Sequence, residues 1–593
     1  MHKPLLFAFS IIAALTCAHA GNSIPPGGSS IIAPAAFTTS PKMLGTEFGS
    51  MAIEPVTGMP FSKVMRVTTT TRPEKEYAIQ AKVFTTAPIQ KGDALLVSFY
   101  ARSTGSGNND TGLGLVSMAV QTKQPMVLIG KYQATPGADW QQYFCPMDAK
   151  GDAPAGNAFC SFSFGAQLQT IEIGDVQVLN YGHSKTINDL PKTEITYDGR
   201  EPNAAWRQAA EQRIEKNRKG DLTVVVKDVF GHLIPNATVQ VDMTKHAFNW
   251  GAAVTSRAFE NSAAAKPILE NHKQLFNQGV PITYFVWPIL ETQEGKDGAN
   301  KILKYFNENG IASRAHVLVW ERSDHFPADV QQMLKNGEKQ QLHDRIASHI
   351  RDTVKTYKGR VNEWVVENEA VDNSEIRDAL GENSIAEWFK IARETDPTAR
   401  LMINENRVEG LKPDKSDRLL HLVDLVEKNG GKIDTIGIQG HFGSIPVPPE
   451  TLLKHYDKLA ATGKQLAITE YDFASEDEQL KADYTRDIMT AVFSEPSFNC
   501  FTIWRFWDGK PEKRESVIFA NDWTLRPSGQ VYKDLVFGKW WTKVTGKTDA
   551  AGKFSTRGFL GDYRITVTGN GKTGSVSTTL RKGAPDVVEV TLK

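Results

Sequence analysis

Eight apolar runs rich in β-forming residues follow one another between residues 247 and 506, and they constrain the fold more than any other feature. Stretches with the apolar spacing of helices, such as 328–358 and 477–494, lie between them. The runs cover 247–254, 280–287, 312–320, 361–368, 399–404, 433–439, 465–470 and 500–506. Strands that are apolar on both faces and alternate with helices form a parallel sheet. Eight repeats predict a closed (β/α)8 barrel over 246–540. A doubly wound open sheet is the competing fold, but no G-x-G-x-x-G follows any strand.

A second pattern, short alternating strands, occupies the part of the chain before the barrel. Between residues 30 and 180, runs such as "ALLVSFYAR" and "QTIEIGDVQVLNY" are separated by clusters of Gly, Asn, Asp and Pro. This pattern predicts an all-β sandwich or jelly roll over 21–183. Such a sandwich is a candidate carbohydrate-binding module, but Trp140 is its only large flat platform. Structural support is the alternative role.

Short β-segments flank the barrel on both sides. Residues 184–220 are predicted to form a polar linker and then a helix that Asn203 caps and Gly220 ends. Two strands are predicted in 221–245, and four or five more in 541–593. Because two strands alone do not make a stable sandwich, we expect both segments to pair into one small β-sandwich with the barrel inserted between them.

The first twenty residues, "MHKPLLFAFSIIAALTCAHA", combine a basic start, an apolar run and a small-x-small end, as a secretory signal does. We expect cleavage after Ala20 and an exported protein, either periplasmic or extracellular. An ordinary helix and a lipid anchor on Cys17 are the alternatives. No other stretch reaches the ~18 uninterrupted apolar residues of a membrane span.

Charge and cysteine content exclude several classes of partner and site. The 68 basic and 68 acidic residues cancel, so nucleic acid and anionic membranes are not expected partners. No Cys/His spacing resembles a zinc site, and we expect no metal ligands. A disulfide between Cys145 and Cys160 is left open, whereas Cys500 is expected to be a packed core thiol.

Polar and aromatic side chains stand where the barrel strands are predicted to end. Reactive groups of such barrels lie there, because the loops shape a cleft while the strands fix the geometry. The candidates are His316, Trp320, Asn368, Glu369, Gln439, His441, Glu470, Trp504 and Trp507.

Glu369 and Glu470 end the fourth and seventh predicted strands, which can face one another across the barrel mouth. Two carboxylates so placed predict glycoside cleavage, in which one protonates the leaving oxygen and the other acts near the anomeric carbon. For either Glu alone, a strand-end cap or a salt bridge is the alternative.

The motifs "RAHVLVW", "WVVENEA", "IDTIGIQGHF", "LAITEYD" and "FTIWRFWDG" occur in this order along the predicted barrel. Together they resemble glycoside hydrolase family 10, the endo-β-1,4-xylanases, over residues 245 to 535. The flanking β-segments resemble a branch of that family in which such strands bracket the barrel. The N-terminal sandwich resembles the carbohydrate-binding modules often found ahead of these barrels.

The resemblance implies a retaining double displacement, with Glu369 as general acid/base and Glu470 as nucleophile, roughly 5–5.5 Å apart. Asn368 would hydrogen-bond the 2-hydroxyl of the sugar being cleaved, and His441 would orient Glu470 with support from Gln439. The remaining candidates would line the sugar subsites and offer flat faces to sugar C–H groups: His316, Trp320, Trp504 and Trp507.

The segment "ITYFVW", residues 282–287, departs from the family pattern E-N-E-M-K-W. Ile282, Thr283 and Val286 stand where that family has the Glu, Asn and Lys that grip sugars on the glycone side. The sequence therefore predicts a glycone side without those polar contacts.

Three further departures surround the candidate acid. Glu321 replaces the His of V-W-H, and Val365 replaces the Asp of W-D-V-V. Glu367 adds a carboxylate which, by strand alternation, points the same way as Glu369 and is a rival acid.

These observations predict a secreted retaining endo-β-1,4-xylanase that acts on xylan or a related plant-wall polysaccharide. The alternatives are a retaining β-glycosidase for another β-glycan or a decorated xylan, and a carbohydrate-binding protein that has lost catalysis. We expect no cofactor, since carboxyl groups suffice for the chemistry, although a structural calcium in the N-terminal module is left open. We expect a monomer.

Overall fold

A computed structural model describes residues 23–73, 75–105, 113–409, 413–443, 446–475, 477–509, 516–583 and 586–593. The predicted leader, residues 1–20, lies outside the described residues. The chain divides into two compact units, with the boundary between Ile195 and Thr196. In the part of the chain that the structure describes, no helix has the length and apolarity of a membrane span.

The first unit is a sandwich of two antiparallel sheets, as the alternating pattern predicts. One sheet has the order Gly49–Pro55, Lys63–Thr69, Gln169–Asn180, Ala94–Gly105 and Gln141–Asp148, with Ser29–Ser30 beside Gln169–Asn180. The other has the order Lys42–Leu44, Gln80–Phe84, Ala158–Ser163, Val116–Thr122 and Leu128–Ala134. Their inward-facing apolar residues form one core, in which Phe99 of the first sheet packs edge-on against Phe162 of the second at 4.9 Å. In the described part of this unit, short helical turns lie at Ala36–Thr39 and Glu76–Ala78, between strands, and at Ile187–Asp189, after the last strand.

Cys145 and Cys160 lie in different sheets of this sandwich, and both are free, buried thiols. The structure therefore lacks the disulfide that the sequence left open. Cys500 is also a free, buried thiol, on the eighth barrel strand, as expected for a core residue. Among the described residues no cluster of His, Cys, Asp and Glu could hold a metal ion.

The second unit contains a closed barrel of eight parallel strands, which confirms the predicted fold. The strands are Asn249–Val254, Gln278–Pro281, Ala312–Ala315 with Val319–Trp320, Glu363–Asn368, Arg400–Glu405, Thr435–Ile438, Gln465–Tyr471 and Phe498–Ile503. The sheet closes because the first strand pairs with both the second and the eighth. The second strand is shorter than its apolar run, 280–287, because the chain turns after Pro281 and Pro288 opens a short helix.

Helices cover the outside of the barrel. They are Ala265–Leu275, Trp287–Leu290, Gln293–Glu308, Ala328–Asn336, Lys339–Tyr357, Glu375–Leu380, Ser384–Thr395, Pro413–Lys428, Pro449–Ala460, Glu478–Ser494 and Pro527–Asp534, with single turns at Ser256–Phe259, Ser323–His325 and Leu535–Lys539. The predicted helix 328–358 is in fact two helices, since Gly337 adopts a left-handed conformation (φ 70°) that ends the first.

The segments that flank the barrel form a small two-sheet sandwich within the same unit. In one sheet Lys219–Asp228 lies between Lys553–Phe559 and Asp586–Leu592; the other has the order Lys543–Lys547, Thr238–His246, Gly561–Gly569 and Lys572–Leu580. Strands from before and after the barrel are thus hydrogen-bonded neighbours.

The helix before this sandwich covers Ala205–Arg218, which is shorter than predicted at both ends. Its N-cap is Ala204 and not Asn203, and Lys219 already belongs to the next strand. Trp206 is buried beside Ala491 of a barrel helix, so the helix is anchored to the barrel wall.

Candidate active site

Glu369 and Glu470 lie at the same end of the barrel, and both contact side chains that end the sixth strand. Glu369 directly follows the fourth strand, and Glu470 is the penultimate residue of the seventh. Gln439 Nε2 donates to Glu369 Oε1 at 2.9 Å, and His441 Nε2 lies 3.1 Å from Glu470 Oε2. Two carboxylates distant in sequence thus converge on one strand end, as the strand-end pattern predicts.

The surroundings of Glu470 favour its ionised form. Asn404 Nδ2 donates to Glu470 Oε1 at 2.8 Å, opposite the contact from His441. Burial by itself raises the pKa of Glu470, but the hydrogen bond and positive charge of His441 and the hydrogen bond from Asn404 outweigh it and lower that pKa. Glu470 is therefore a buried carboxyl group that is ionised at neutral pH.

His441 lies between two carboxylates. Its Nδ1 is 2.8 Å from Asp472 Oδ2, while its Nε2 faces Glu470. Burial lowers the pKa of His441, but both hydrogen bonds and both negative charges raise it more, to about 10. The ring is thus an imidazolium at neutral pH, and it supplies the positive charge next to Glu470.

Asn404, at the end of the fifth strand, connects the predicted residues to each other. Besides Glu470 it donates to Asn368 Oδ1 at 2.8 Å, and it accepts from Thr469 Oγ1 at 2.7 Å. Asn368 Nδ2 has no hydrogen-bond partner among the described residues, so a donor remains for a ligand. Asn404 was not predicted as a site residue, although it closes an apolar strand run in the same way as its neighbours.

Glu369 differs from Glu470 in that, among the described residues, its carboxyl group is hydrogen-bonded by neutral amides alone. Gln439 donates to Oε1, and Asn373 Nδ2 lies 3.4 Å from Oε2. The backbone of Glu369 is in the left-handed region (φ 57°), and its N–H donates to Asn404 O at 2.8 Å. Asn373 was also missed, because it lies in a loop where no apolar period marks its position.

Glu367 is not a rival acid, because it is buried and Glu369 does not continue its strand. The strand ends at Asn368, and Glu369 follows it with a left-handed backbone (φ 57°), so strand alternation does not extend to Glu369. Glu367 is 0% exposed. Burial, and the carboxylates of Glu321 and Glu405, raise its pKa well above the ordinary value. The prediction that Glu367 and Glu369 point the same way is therefore wrong.

Trp504 lies beside the candidate catalytic groups. Its ring contacts His316 at 5.7 Å and His441 at 6.1 Å, both edge-on. Trp320 is farther along the mouth, where His325 lies 3.9 Å away and Arg322 lies over the ring at 5.1 Å. Burial lowers the pKa of His316, so this ring is neutral at neutral pH. The structure thus brings His316, Trp320 and Trp504 together, as predicted.

Trp507 is covered on both faces, contrary to the prediction that it offers a flat face to sugars. Arg257 lies over its ring at 5.0 Å, and Trp523 stacks on it at 4.8 Å with an interplanar angle of 3°. Its Nε1 donates to Asn521 O. Trp507 is therefore a support for the mouth, and the Trp523 that covers it was not predicted.

The segment 282–287 forms the turn after the second strand. Ile282, Thr283 and Val286 are half-buried, and Thr283 Oγ1 accepts from the Ser256 N–H at 3.2 Å. Trp287 is buried and stacks on His349 at 4.0 Å. This edge of the mouth is thus mainly apolar.

Residues 240–528 match the family model described as glycosyl hydrolase family 10. The chain is 33% identical over 371 residues to anti-sigma-I factor RsgI6 of Acetivibrio thermocellus, covering 62% of this chain and 47% of that protein. It is 28% identical over 362 residues to endo-1,4-beta-xylanase 1 of Arabidopsis thaliana, covering 60% and 37%. It is 30% identical over 244 residues to a beta-1,4-xylanase of Dictyoglomus thermophilum, covering 39% and 65%. The chain thus spans less than half of the length of the first two relatives.

Among solved structures, xylanase 10B from Thermotoga petrophila in complex with xylobiose is similar with a TM-score of 0.45 and 22% identity. That match covers 49% of this chain and 95% of the other.

Proposed function

We propose that this chain, whose residues 240–528 match the model of glycosyl hydrolase family 10, hydrolyses β-1,4-xylan or a related plant cell-wall polysaccharide at internal bonds with retention of anomeric configuration. The observation that carries the proposal is the unequal environment of two converging carboxyl groups. Glu470 faces an imidazolium, whereas Glu369 accepts only from neutral amides. Similarity to the named xylanases supports the choice of glycan.

In the first step Glu470 Oε attacks the anomeric carbon while Glu369 gives its proton to the leaving glycosidic oxygen. The C–O bond breaks, the leaving sugar departs with a hydroxyl group, and a glycosyl ester on Glu470 remains. The imidazolium of His441 keeps the nucleophile anionic until attack. Asn368, with its unused Nδ2, donates to the 2-hydroxyl as positive charge develops on the sugar ring.

In the second step Glu369, now ionised, takes a proton from water, and the resulting oxygen nucleophile attacks the same anomeric carbon. The ester bond breaks, the sugar leaves with its original configuration, and both carboxyl groups return to their starting states. The same Glu369 carboxyl group thus serves as acid in the first step and as base in the second.

A mechanism-based trap tests the nucleophile directly. An activated 2-fluoro xylobioside should add its glycosyl mass to the peptide that contains Glu470, and the wild-type protein should release reducing sugar from xylan. Product lengths report internal cleavage, and NMR of the first product reports its anomer. An inverted first product, or a label on another peptide, would overturn the assignment.

A second candidate substrate, another β-glycan or a decorated xylan, is favoured by the apolar turn at 282–287. Side chains such as Ile282 and Val286 offer no polar group to sugar hydroxyls. A panel of plain xylan, substituted xylans and other β-glycans separates the two, since kcat/KM should be highest for the true backbone. Binding to the panel without hydrolysis of any member would instead support the reading in which catalysis has been lost.

The N-terminal sandwich is proposed to bind glycan through one sheet face. Trp140 lies there with Phe61 at 5.5 Å and with the Arg102 guanidinium over its ring at 4.8 Å, and Arg102 Nε donates to Glu172 at 2.6 Å. An aromatic ring beside fixed polar groups suits a sugar, whose faces are apolar and whose edges are not. Retention of the full chain on insoluble xylan should fall when Trp140 is replaced by Ala. Unchanged retention would favour a purely structural role for the N-terminal sandwich.

Export, a monomeric state and the absence of a cofactor stay proposals. The mass of the protein recovered from outside the cytoplasm should correspond to cleavage after Ala20. Chelation should leave activity and stability unchanged, and a loss of stability would point to the calcium alternative.

A further inference from the structure

A buried ion pair holds the loop that follows the candidate acid. Arg377 and Glu321 are 6% and 0% exposed. Arg377 donates through both its backbone N–H, at 2.7 Å, and its side-chain Nε to the Glu321 carboxylate. The Nη2 group of the same guanidinium donates to the carbonyls of Ala370 and Asn373, the latter at 2.6 Å. One side chain thus closes the loop from residue 370 to residue 373.

A second buried pair fixes the same loop from the fifth strand. Glu405 accepts from the Val371 N–H at 2.9 Å and pairs with Lys415 Nζ at 2.9 Å. Lys415 Nζ also reaches Asp372 Oδ2 at 2.7 Å. The loop has two independent attachments, so loss of one is not expected to unfold it.

The loop matters because Glu369 precedes it in a backbone conformation that residues other than glycine rarely adopt. Such conformations persist only where the surroundings determine them. Asn373 joins the loop to the acid: its Nδ2 donates to Glu369 O at 3.1 Å and lies 3.4 Å from Glu369 Oε2. Contacts therefore run without a gap from Glu321 through Arg377 and Asn373 to the Glu369 carboxyl group.

We propose that Glu321 and Arg377 form a positioning pair that holds the carboxyl group of Glu369 at the geometry needed for proton transfer. The inference rests on the proposed function, and it assigns a role to a position where this chain departs from the family pattern, with Glu321 in place of His. Because both residues are buried, the pair acts only through the loop. Arg is needed because its planar fork reaches one carboxylate and two carbonyls at once.

The test compares two substrates that differ in their need for an acid. A xylo-oligosaccharide has a poor leaving group, so its cleavage depends on Glu369. The dinitrophenolate of a dinitrophenyl β-xylobioside departs without being protonated. Arg377→Lys keeps the charge but loses the fork, and Glu321→Gln with Arg377→Met removes both charges together. A misplaced general acid should lower kcat on the oligosaccharide by ~10- to 100-fold with little change in KM. On the aryl glycoside kcat/KM, which reports glycosylation alone, should stay within about threefold of the wild type, since no acid is needed in that step. Its kcat should fall, because Glu369 is also the base of the second step.

Arg207→Met is the matched control, because it breaks another ion pair, with the buried Asp487, away from the loop. It should lower the melting temperature and leave the ratio of the two kcat/KM values unchanged. If the Arg377 variants, folded by circular dichroism, lower kcat/KM equally for both substrates, the positioning role is wrong while the proposed function stands. If the wild-type protein hydrolyses neither substrate, the proposed function fails and the inference falls with it.

Discussion

Buried carboxylates occur at both ends of the barrel, and their partners differ. At the amino end, inside the barrel, Glu363 accepts from Arg314 Nε at 2.8 Å and from Thr435 at 2.9 Å, and Arg400 lies 3.3 Å away. Burial raises the pKa of Glu363, but the two arginines outweigh it and lower that pKa. The Glu363 carboxylate is thus fully neutralised.

At the mouth, neighbouring cations balance the charge of the carboxylates only in part. The imidazolium of His441 is shared between Glu470 and Asp472, and Glu369 receives amide donors alone. A carboxylate that two arginines surround stabilises the fold, whereas one with an incomplete set of partners can still react. Five substitutions test this difference, from the largest expected effect to the smallest.

Glu470→Ala should abolish turnover, because no other group at the mouth can form the glycosyl ester. Loss of a covalent nucleophile costs roughly 10⁴- to 10⁶-fold in kcat. Reducing-sugar release from xylan measures it, with circular dichroism as the control for folding. Activity within tenfold of the wild type would show that Glu470 is not the nucleophile.

Glu369→Gln should lower kcat on unactivated glycan by ~10²- to 10⁴-fold, the usual contribution of a general acid. The amide keeps the shape of the side chain but has no proton of suitable acidity to give. An external nucleophile such as azide should restore part of the turnover of an activated aryl glycoside. Absence of any effect on polysaccharide would remove Glu369 from the mechanism.

Glu363→Gln should act on stability and not on chemistry. It leaves Arg314 buried without its carboxylate, and breaking such a pair costs about 3–5 kcal/mol. Denaturant unfolding measures the loss, and the fraction that stays folded should keep its kcat. An unchanged denaturation midpoint together with a lowered kcat would contradict the view that the carboxylate at the amino end stabilises the fold and takes no part in the chemistry.

His441→Asn should move the acid limb of kcat/KM to higher pH by about one to two units, because Glu470 loses a neighbouring cation. Glu470 has a lowered pKa, so its ionised form is lost only as the pH falls through that value. His441 has a raised pKa, so its contribution to stability is complete below its ordinary pKa of 6.5 and is lost as the pH rises to about 10. The free energies of unfolding of the wild type and the variant should therefore become equal at alkaline pH.

Glu367→Gln should have the smallest effect. Glu367 is uncharged because burial and neighbouring carboxylates raise its pKa, so an amide changes little, and activity should stay within about threefold. A kcat loss of the size expected for Glu369→Gln would mean that the wrong carboxyl group has been taken as the acid.

The barrel and the convergence of Glu369 with Glu470 could be predicted, because apolar runs fix strand number and strand ends fix where side chains gather. The left-handed backbone of Glu369 could not, since a positive φ at a residue other than glycine leaves no trace in an apolar pattern. Asn373 reaches Glu369 only through loop geometry. The stack of Trp507 and Trp523 depends on the path of the loop that carries Trp523, and no periodicity in the sequence predicts that path.

The interleaved small sandwich has a consequence for how the protein is made. Lys219–Asp228 and Thr238–His246 leave the ribosome before the barrel, yet their hydrogen-bonding neighbours, Lys543–Lys547 and Asp586–Leu592 among them, are synthesised after it. Until the whole barrel has been translated, the backbone groups at the edges of the early strands lack these hydrogen-bonding partners. A nascent chain that stalls within the barrel therefore carries unsatisfied strand edges, which mark it as unfinished to chaperones and proteases.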